Sequence, residues 1–405
     1  MRAVKWGFGV ALAHRLFLGL WLALVWSVVG AHLTGVQVDF HTAGAQLPKL
    51  ESPAEELIFG VWRRWDAVHY LDLAANGYRL DNPGPTVFGV LTPFSIRVLD
   101  VLPIPLDLAA MIFETLAFGL ALTLLFKLCE SYYGDADGQL GRWAVIVTAL
   151  LPLSYFFAAP MSESIYLAMV LGLFYFGTKK RWLLAAICGC LATLARSQGI
   201  LLLPIAGLLL LEQNGFTLAD LRSRAWLDQT RRAIVQGWTL VLIPLGFVAF
   251  VAYRQIIGLP SIGDVYTNIS YNYFTNPLDG LITNFRWLIA HPFAISSLDL
   301  WALVITLILA FVALRFPKHR RLPLIAYTFG FILLFVSRIN YFYGTHEVTF
   351  TQSFGRYSLC FFPLIILIAD GLRCAAPFIR VVGVALLVAG IVIFSALYVL
   401  ALTGP

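Results

Sequence analysis

Charged residues are scarce in this chain. Only 12% of its 405 residues are Asp, Glu, Lys or Arg, about half the share found in a soluble globular domain, and 60% are hydrophobic. So few charges cannot cover the surface of a soluble protein of this size. The composition excludes a soluble enzyme, a disordered protein and a coiled coil. It predicts an all-α polytopic membrane protein with one integral membrane domain over residues 1–405.

Short motifs for nucleotides and metals are also missing. The sequence has no P-loop, no dinucleotide-type glycine motif and no zinc motif. Its five cysteines fall in apolar segments or at their inner ends, so they predict no disulfide framework. We therefore expect no resident cofactor, and no motif supports a divalent metal.

Eleven apolar segments predict membrane-spanning helices. The first, 8–32, follows Arg2 and Lys5, and we expect it to be retained rather than cleaved as a signal peptide. The others are 104–128, 143–159, 164–178, 182–196, 199–212, 237–257, 297–314, 322–337, 357–373 and 379–402. Several are shorter than the ~20 residues of a straight span, so 143–178 and 182–212 are candidates for short hairpins that do not cross fully.

Basic residues favour an N-terminus on the inner side of the membrane. Short segments dense in charge, such as Lys179–Arg181 and Arg315–Arg321, then lie inside, facing anionic lipid. This explains the net charge of +6, and without a basic–aromatic patch we expect no nucleic-acid partner. Three outer segments remain, 33–103, 258–296 and 338–356. They are rich in polar and aromatic residues, which are costly in lipid, so we expect the functional site there.

The most informative part of the first outer segment is residues 62–78, with the sequence WRRWDAVHYLDLAANGY. As a helix this stretch is amphipathic, and we expect it to lie on the membrane surface with its tryptophans as anchors. Asp66 and His69 are three residues apart and share one helix face. A carboxylate at this position can act as a general base toward a hydroxyl. An ion pair of Asp66 with Arg63 or Arg64 explains a carboxylate at this position equally well.

Residues 64–70, RWDAVHY, followed by Gly77-Tyr78, resemble the first-loop signature of the GPI mannosyltransferase 2 family and its bacterial relatives. Three later patches resemble further elements of that family, in the same order along the chain: Ser162-Glu163-Ser164, Ala195-Arg196-Ser197-Gln198-Gly199 and Phe354-Gly355-Arg356-Tyr357. Gln198 stands where the family usually has Asn, and the stretch after Tyr78 matches the family pattern only loosely.

The resemblance implies a GT-C class glycosyltransferase, a bundle of about 11 transmembrane helices with a helical first outer loop. Such enzymes take a sugar from a polyprenyl or dolichyl phosphate and work on the outer or lumenal face. If the roles known in the family carry over to this chain, Asp66 is the catalytic base. Mannose is then the sugar, and it is transferred in a single inverting displacement. The acceptor hydroxyl belongs to a glycan, a glycolipid or a protein. The compartment is the plasma membrane in a bacterium and the endoplasmic reticulum membrane in a eukaryote.

A phosphate leaving group suits arginine ligands. Arg196, Arg338 and Arg356 lie near predicted outer helix ends, where an arginine either anchors the helix at the interface or binds phosphate. The motif match favours phosphate binding for Arg196 and Arg356, whereas the two interpretations of Arg338 are about even. The further candidates for substrate binding are His69, Glu163 and Gln198.

The alternative function is a polytopic transporter or a lipid or glycolipid flippase. Transporters often have inverted repeats and charged or broken helices near the middle of the membrane. Here the acidic residues cluster in outer segments and no internal repeat is evident. An outer cavity that joins Asp66 to Arg196 and Arg356, with a lateral opening to lipid, would favour the enzyme.

Overall fold

A computed structural model describes residues 1–30, 45–216, 225–269, 272–340 and 349–400. Its α-helices are α1 Arg2–Val28, α2 Pro53–Ile58, α3 Asp66–Asn76, α4 Leu91–Leu99, α5 Leu106–Tyr132, α6 Gln139–Leu150, α7 Glu163–Thr178, α8 Trp182–Ala195, α9 Leu202–Gln213, α10 Ala225–Gly237, α11 Leu242–Ile256, α12 Ile262–Asn268, α13 Pro277–Ala290, α14 Leu298–Ala313, α15 Leu322–Val336, α16 Phe354–Ser358, α17 Phe362–Cys374 and α18 Pro377–Val399. The described residues also form two short strands, β1 Asn272–Phe274 and β2 Arg338–Asn340, and short 3-10 helices at Gly60–Trp62, Gly84–Val87, Ser154–Phe157, Ser197–Leu201, Trp238–Val241 and Ile295–Ser297.

The structure confirms an almost entirely helical, polytopic membrane protein. Five helical segments are long and apolar enough to cross a membrane: Arg2–Val28, Leu106–Tyr132, Gln229–Ile256, Ile295–Ala313 and Pro377–Val399. Four apolar helices are shorter: Glu163–Thr178, Trp182–Ala195, Ser197–Gln213 and Leu322–Val336. Each of the eleven predicted segments contains a helix. How many of them cross the membrane stays a prediction.

The centre of the bundle is formed by α5 and α7. α5 packs between α1 and α7, α7 packs on α8, and α8 packs on α11. α7 is apolar on all sides and buried along most of its 16 residues, as expected for a helix that neighbouring helices surround. This buried centre fixes the ends of the helices that carry the polar side chains discussed below.

The helix ends divide the bundle into two ends of different character. At one, here called the cavity end, α7, α14 and α17 begin and α8 and α15 end, and these termini surround one cavity or pack directly behind it. The other, here called the basic end, consists of the turns Lys179–Arg181 and Arg315–Arg320, whose basic side chains are exposed. The basic turns thus lie together at the end away from the cavity, and the orientation that would place them inside stays a prediction.

The described part of the first outer segment, 45–103, contains helices as predicted, but the helix over 62–78 differs from the prediction. It begins at Asp66 rather than at Trp62, because the backbone of Trp65 has a positive φ of 52° that no helix continues through. The side chains of Trp62, Val68 and Leu73 are buried in the protein, where α1, α4 and α5 cover this segment. They contact protein, so the prediction that these three side chains face the membrane is wrong, and the position of the helix relative to the membrane stays a prediction.

A small antiparallel ladder is, like α12 and α13, an element that the sequence did not predict. Asn272 of β1 lies opposite Asn340 of β2, and Phe274 lies opposite Arg338. The ladder ties the second outer segment to the third and places Arg338 and Asn340 at the cavity.

Candidate active site

A cavity of about 1020 Å³ lies at the cavity end. Its walls include five of the six residues that the sequence analysis selected: Asp66, His69, Arg196, Gln198 and Arg356. The sixth, Glu163, lies directly behind the wall, fully buried and hydrogen-bonded to Arg196 and Arg356. Four patches that are far apart in the sequence therefore meet in one place.

Asp66 is the first residue of α3 and receives a hydrogen bond and an ion pair from the Arg356 guanidinium. The Asp66 side chain is 24% exposed, so a molecule in the cavity can reach it. The preceding residue, Trp65, holds a backbone conformation that is rare for a residue with a side chain. Such conformations are found where the surrounding structure fixes a functional group in place.

Neither Arg63 nor Arg64 pairs with Asp66. Arg63 donates two hydrogen bonds to Asp107 at the start of α5, of 2.8 and 2.6 Å. Arg64 is buried and donates to backbone carbonyl groups, including that of Val399 at 3.0 Å. The sequence suggested an ion pair of Asp66 with Arg63 or Arg64, and this alternative is wrong because Asp66 pairs with Arg356.

Two opposing effects set the pKa of Asp66. Burial raises it, but the charge of Arg356 and the hydrogen bond from it lower it further, with smaller contributions from His69 and Arg196. The net result is a pKa below that of an ordinary aspartate. Asp66 is therefore a carboxylate at neutral pH, the form in which it can accept a proton.

Glu163 joins the two arginines of the motif patches. It is the first residue of α7, and its Oε1 accepts hydrogen bonds from Arg356 Nε and Arg196 Nη2. The neighbouring Ser162 hydroxyl accepts a second bond from Arg196, at 2.7 Å, and one from the Tyr70 hydroxyl, at 2.9 Å. Both arginine side chains are thus held by protein groups. These contacts give Glu163, predicted as a substrate-binding residue, the role of orienting Arg196 and Arg356.

Arg338 differs from the other two cavity arginines in having neutral partners. Its Nε donates to the amide oxygen of Asn272 at 2.9 Å, and its Nη1 donates to the Tyr357 hydroxyl at 3.0 Å. In the described part of the chain, no carboxylate lies within ion-pair distance of Arg338. A half-buried arginine with only neutral partners is suited to an anionic ligand. The geometry thus favours the ligand interpretation of a residue for which the sequence gave no preference.

One long wall of the cavity is apolar and lies between helices. α14, α17 and α18 contribute the side chains Trp301, Ile305, Leu309, Leu364, Ile365, Ile368 and Phe394. From Asp299 to Leu309, both in the wall, α14 rises by about 15 Å. The cavity therefore has a polar part with arginines and a carboxylate and an apolar part with the character of a lipid-binding groove.

Asp299 supports the helix that carries Arg356. Located in the first turn of α14, it accepts hydrogen bonds from the backbone N–H groups of Ser353, at 2.7 Å, and Gly355, at 2.8 Å. A Cβ on Gly355 would lie 2.7 Å from the Leu153 side chain and 3.1 Å from Asp299 Oδ1, so a larger residue here would have to displace those side chains. Sequence analysis missed Asp299, although a carboxylate at the start of an apolar segment is an available signal.

Asn340 is a further cavity residue that sequence analysis missed. Nothing in its sequence neighbourhood marks it, because its position follows from the unpredicted strand pairing of β1 with β2. Within the described ranges, no three His, Cys, Asp or Glu side chains are grouped closely enough to hold a metal ion.

Comparison with curated proteins identifies relatives named GPI mannosyltransferase 2. The proteins of that name from two strains of Cryptococcus neoformans var. neoformans serotype D are 28% identical over 147 residues, which is 34% of this chain and 34% of each relative. The one from Schizosaccharomyces pombe is 29% identical over 157 residues, 37% of this chain and 32% of the relative. The resemblance predicted from the motifs is confirmed as a distant similarity.

The matched part spans about a third of the length of these curated relatives. No family model matches the chain. No solved structure matches it either.

Proposed function

We propose that this chain is a membrane glycosyltransferase that moves a sugar, mannose by analogy with its relatives, from a polyprenyl-phosphate donor to an acceptor hydroxyl on the outer face. One observation carries the proposal: a single cavity joins an ionised aspartate and three arginines to an apolar wall between helices. The similarity to proteins named GPI mannosyltransferase 2 supports the reaction class.

The proposed reaction is one displacement at the anomeric carbon of the donor sugar. The acceptor oxygen forms a bond to that carbon, and the bond from the carbon to the phosphate oxygen breaks, its electron pair leaving with the lipid phosphate. Asp66 takes the proton of the acceptor hydroxyl. The lipid phosphate leaves without a strong acid, because its charge is stabilised by arginine. Attack opposite the leaving group inverts the anomeric configuration.

The donor phosphate is assigned mainly to Arg338. Arg196 and Arg356 are engaged by Glu163, and Arg356 also by Asp66, so their charges act on the cavity from positions fixed by protein. Arg338 has neutral partners and can bind an anion without first breaking an ion pair. This reverses the order of preference that the motifs gave. The lipid tail would occupy the wall along α14 and α17.

Incubation of the purified chain with polyprenyl-phosphate-mannose tests the proposal. We expect release of polyprenyl phosphate and transfer of the sugar to an added alkyl mannoside or to water. If the protein moves the lipid across vesicle membranes without consuming it, it is a flippase, and the proposed enzyme is wrong.

Replacement of Arg338 tests the assignment of the phosphate. Arg338→Ala should raise the donor KM by about tenfold to a hundredfold, because the phosphate loses a charged hydrogen-bond partner. Arg338→Lys should recover part of the loss, since it restores the charge without the two-pronged geometry. The exposed Arg320→Ala at the basic end is the matched control, with an unchanged donor KM. An unchanged KM in Arg338→Ala would contradict the assignment.

A further inference from the structure

The Tyr266 hydroxyl is an accessible polar group at the cavity. Tyr266 belongs to α12, a short helix of the second outer segment that packs against β1 and against the 3-10 helix Gly84–Val87. Its half-buried side chain is part of the cavity wall. Among the described residues no group forms a hydrogen bond with its hydroxyl, and this oxygen is accessible rather than enclosed. A molecule in the cavity can therefore bind to it.

Tyr266 lies beside Arg338, the arginine to which the donor phosphate is assigned. The guanidinium carbon of Arg338 is 5.6 Å from the centre of the Tyr266 ring and 5.8 Å from the centre of the Tyr357 ring. Its Nε and Nη1 donate to Asn272 and Tyr357, whereas its Nη2 forms no hydrogen bond with a described residue and is not enclosed. Of the neighbouring charges, that of Arg338 has the largest effect on the pKa of Tyr266. The hydroxyl and the guanidinium therefore act on the same part of the cavity.

The Tyr266 hydroxyl carries its proton at neutral pH. Burial raises the pKa of Tyr266 above that of an ordinary tyrosine, although the charge of Arg338 acts in the opposite direction. A protonated phenol can donate a hydrogen bond, and phosphate oxygens are strong acceptors. Hydrogen bonds to a charged acceptor are stronger than those between neutral groups. A phosphate held by Arg338 thus suits this hydroxyl.

We propose that the Tyr266 hydroxyl donates a hydrogen bond to the lipid phosphate that Arg338 binds. The inference rests on the proposed function, which places the phosphate of the donor at Arg338. The second outer segment then supplies one ligand of the phosphate and the third supplies the other. Negative charge on the phosphate increases as its bond to the sugar breaks, so the hydrogen bond from Tyr266 strengthens during the reaction.

Two lipids that differ only in the phosphate test this assignment. Binding of polyprenyl phosphate and of polyprenol of the same chain length is measured for the wild type and for Tyr266→Phe, which keeps the ring and removes only the hydroxyl. We expect the affinity for polyprenyl phosphate to fall by about tenfold, because a hydrogen bond to a charged group is lost. The affinity for polyprenol should stay unchanged.

Tyr253 provides a matched control. It is a tyrosine of α11 that is 39% exposed and is not part of the cavity wall. Tyr253→Phe should keep the wild-type affinity for both lipids, and the melting temperature of each variant is measured alongside. Tyr266→Leu, which removes the ring as well, should lose at least as much affinity for polyprenyl phosphate as Tyr266→Phe.

The results that would overturn the assignment differ from those that would overturn the proposed function. If Tyr266→Leu weakens the binding of polyprenyl phosphate and Tyr266→Phe does not, the ring only supports Arg338, and the role of the hydroxyl is wrong. Equal losses for both lipids in Tyr266→Phe would also overturn it. If the wild type binds polyprenyl phosphate no more tightly than polyprenol, the proposed function itself fails, and the role of Tyr266 fails with it.

Discussion

The two ends of the bundle use the same residue types in opposite ways. At the cavity end, Arg196 and Arg356 are 8% and 4% exposed, and each is bonded to Glu163. At the basic end, Arg315 and Arg320 are exposed. A buried charge needs a specific partner, whereas an exposed one is stabilised by water and by lipid headgroups. Replacing a charge should therefore have large consequences at the cavity end and small ones at the basic end.

The difference originates in where helices begin and end. Glu163 and Asp66 are the first residues of α7 and α3, and Arg196 directly follows α8. Their positions are thereby fixed by the packing of whole helices. The basic residues lie in turns that connect helices, where the chain tolerates variation.

The largest effect is expected from Asp66→Asn. The substitution preserves the shape of the side chain and removes its basicity, so turnover of the donor should fall by about 10²–10⁴-fold. Asp81, whose side chain is 65% exposed, offers the matched control Asp81→Asn, with wild-type turnover. Turnover and melting temperature are measured on the same purified variants. A stable Asp66→Asn protein with near-normal turnover would remove Asp66 from the mechanism.

Glu163→Gln tests through the free energy of unfolding whether a buried charge matters more than an exposed one. Removing the carboxylate leaves two buried arginines without their shared partner, and breaking a buried pair costs about 3–5 kcal/mol. The pair of Arg2 with Glu130 is its exposed counterpart, with both side chains 39% exposed. Glu130→Gln should cost no more than about 1 kcal/mol. Equal losses in the free energy of unfolding would show that burial does not distinguish the two ion pairs.

The pH dependence of turnover tests the electrostatic role of Arg356. Asp66 works as a carboxylate, and Arg356 holds its pKa below the ordinary value against the opposing effect of burial. In Arg356→Gln burial remains and the charge is lost, so the pKa of Asp66 should rise. The acidic limb of the residual pH–rate profile should then move to higher pH. Arg320→Gln is the control, and a limb at the same pH in Arg356→Gln would contradict the proposed interaction.

Much of the fold is predictable because apolar runs map directly onto helices. Every predicted span contains a helix, since a long apolar segment has few other ways to satisfy its backbone in lipid. The ladder of β1 and β2 was not predictable, because three-residue strands carry no periodic pattern. The first outer segment was predicted as helical, but hydrophobicity alone did not reveal that protein, rather than lipid, covers Trp62 and Val68.

The residues of the site could be predicted from the sequence, but the ion pairs that they form could not. The motif patches located Asp66, Glu163, Arg196 and Arg356, and the structure brings all four together. Sequence spacing suggested local partners for Asp66, whereas its actual partner, Arg356, is 290 residues away. Because ion pairs form across the bundle, the ranking of arginines as phosphate ligands also required the three-dimensional contacts.

The smallest effect is expected from charge removal at the basic end. Arg315 and Arg320 are exposed, and no ion pair of either is present in the described part of the chain. The double variant Arg315→Gln, Arg320→Gln should therefore change the free energy of unfolding by less than about 0.5 kcal/mol per site and leave donor turnover unchanged.

The same double variant also tests whether the basic end sets the orientation. Lys179–Arg181 keeps the positive charge of the other inner turn, so we expect a cysteine at the exposed Asn76 to be labelled from outside in intact cells, with and without the double substitution. Permeabilisation should not be needed. Labelling of the otherwise unchanged chain only after permeabilisation would place the cavity inside, and a cytosolic nucleotide sugar would then replace the lipid-linked donor as the substrate to test. A loss of labelling only in the double variant would instead show that Arg315 and Arg320 determine the orientation. Replacing charges at the basic end would then have a large consequence, contrary to the comparison of the two ends.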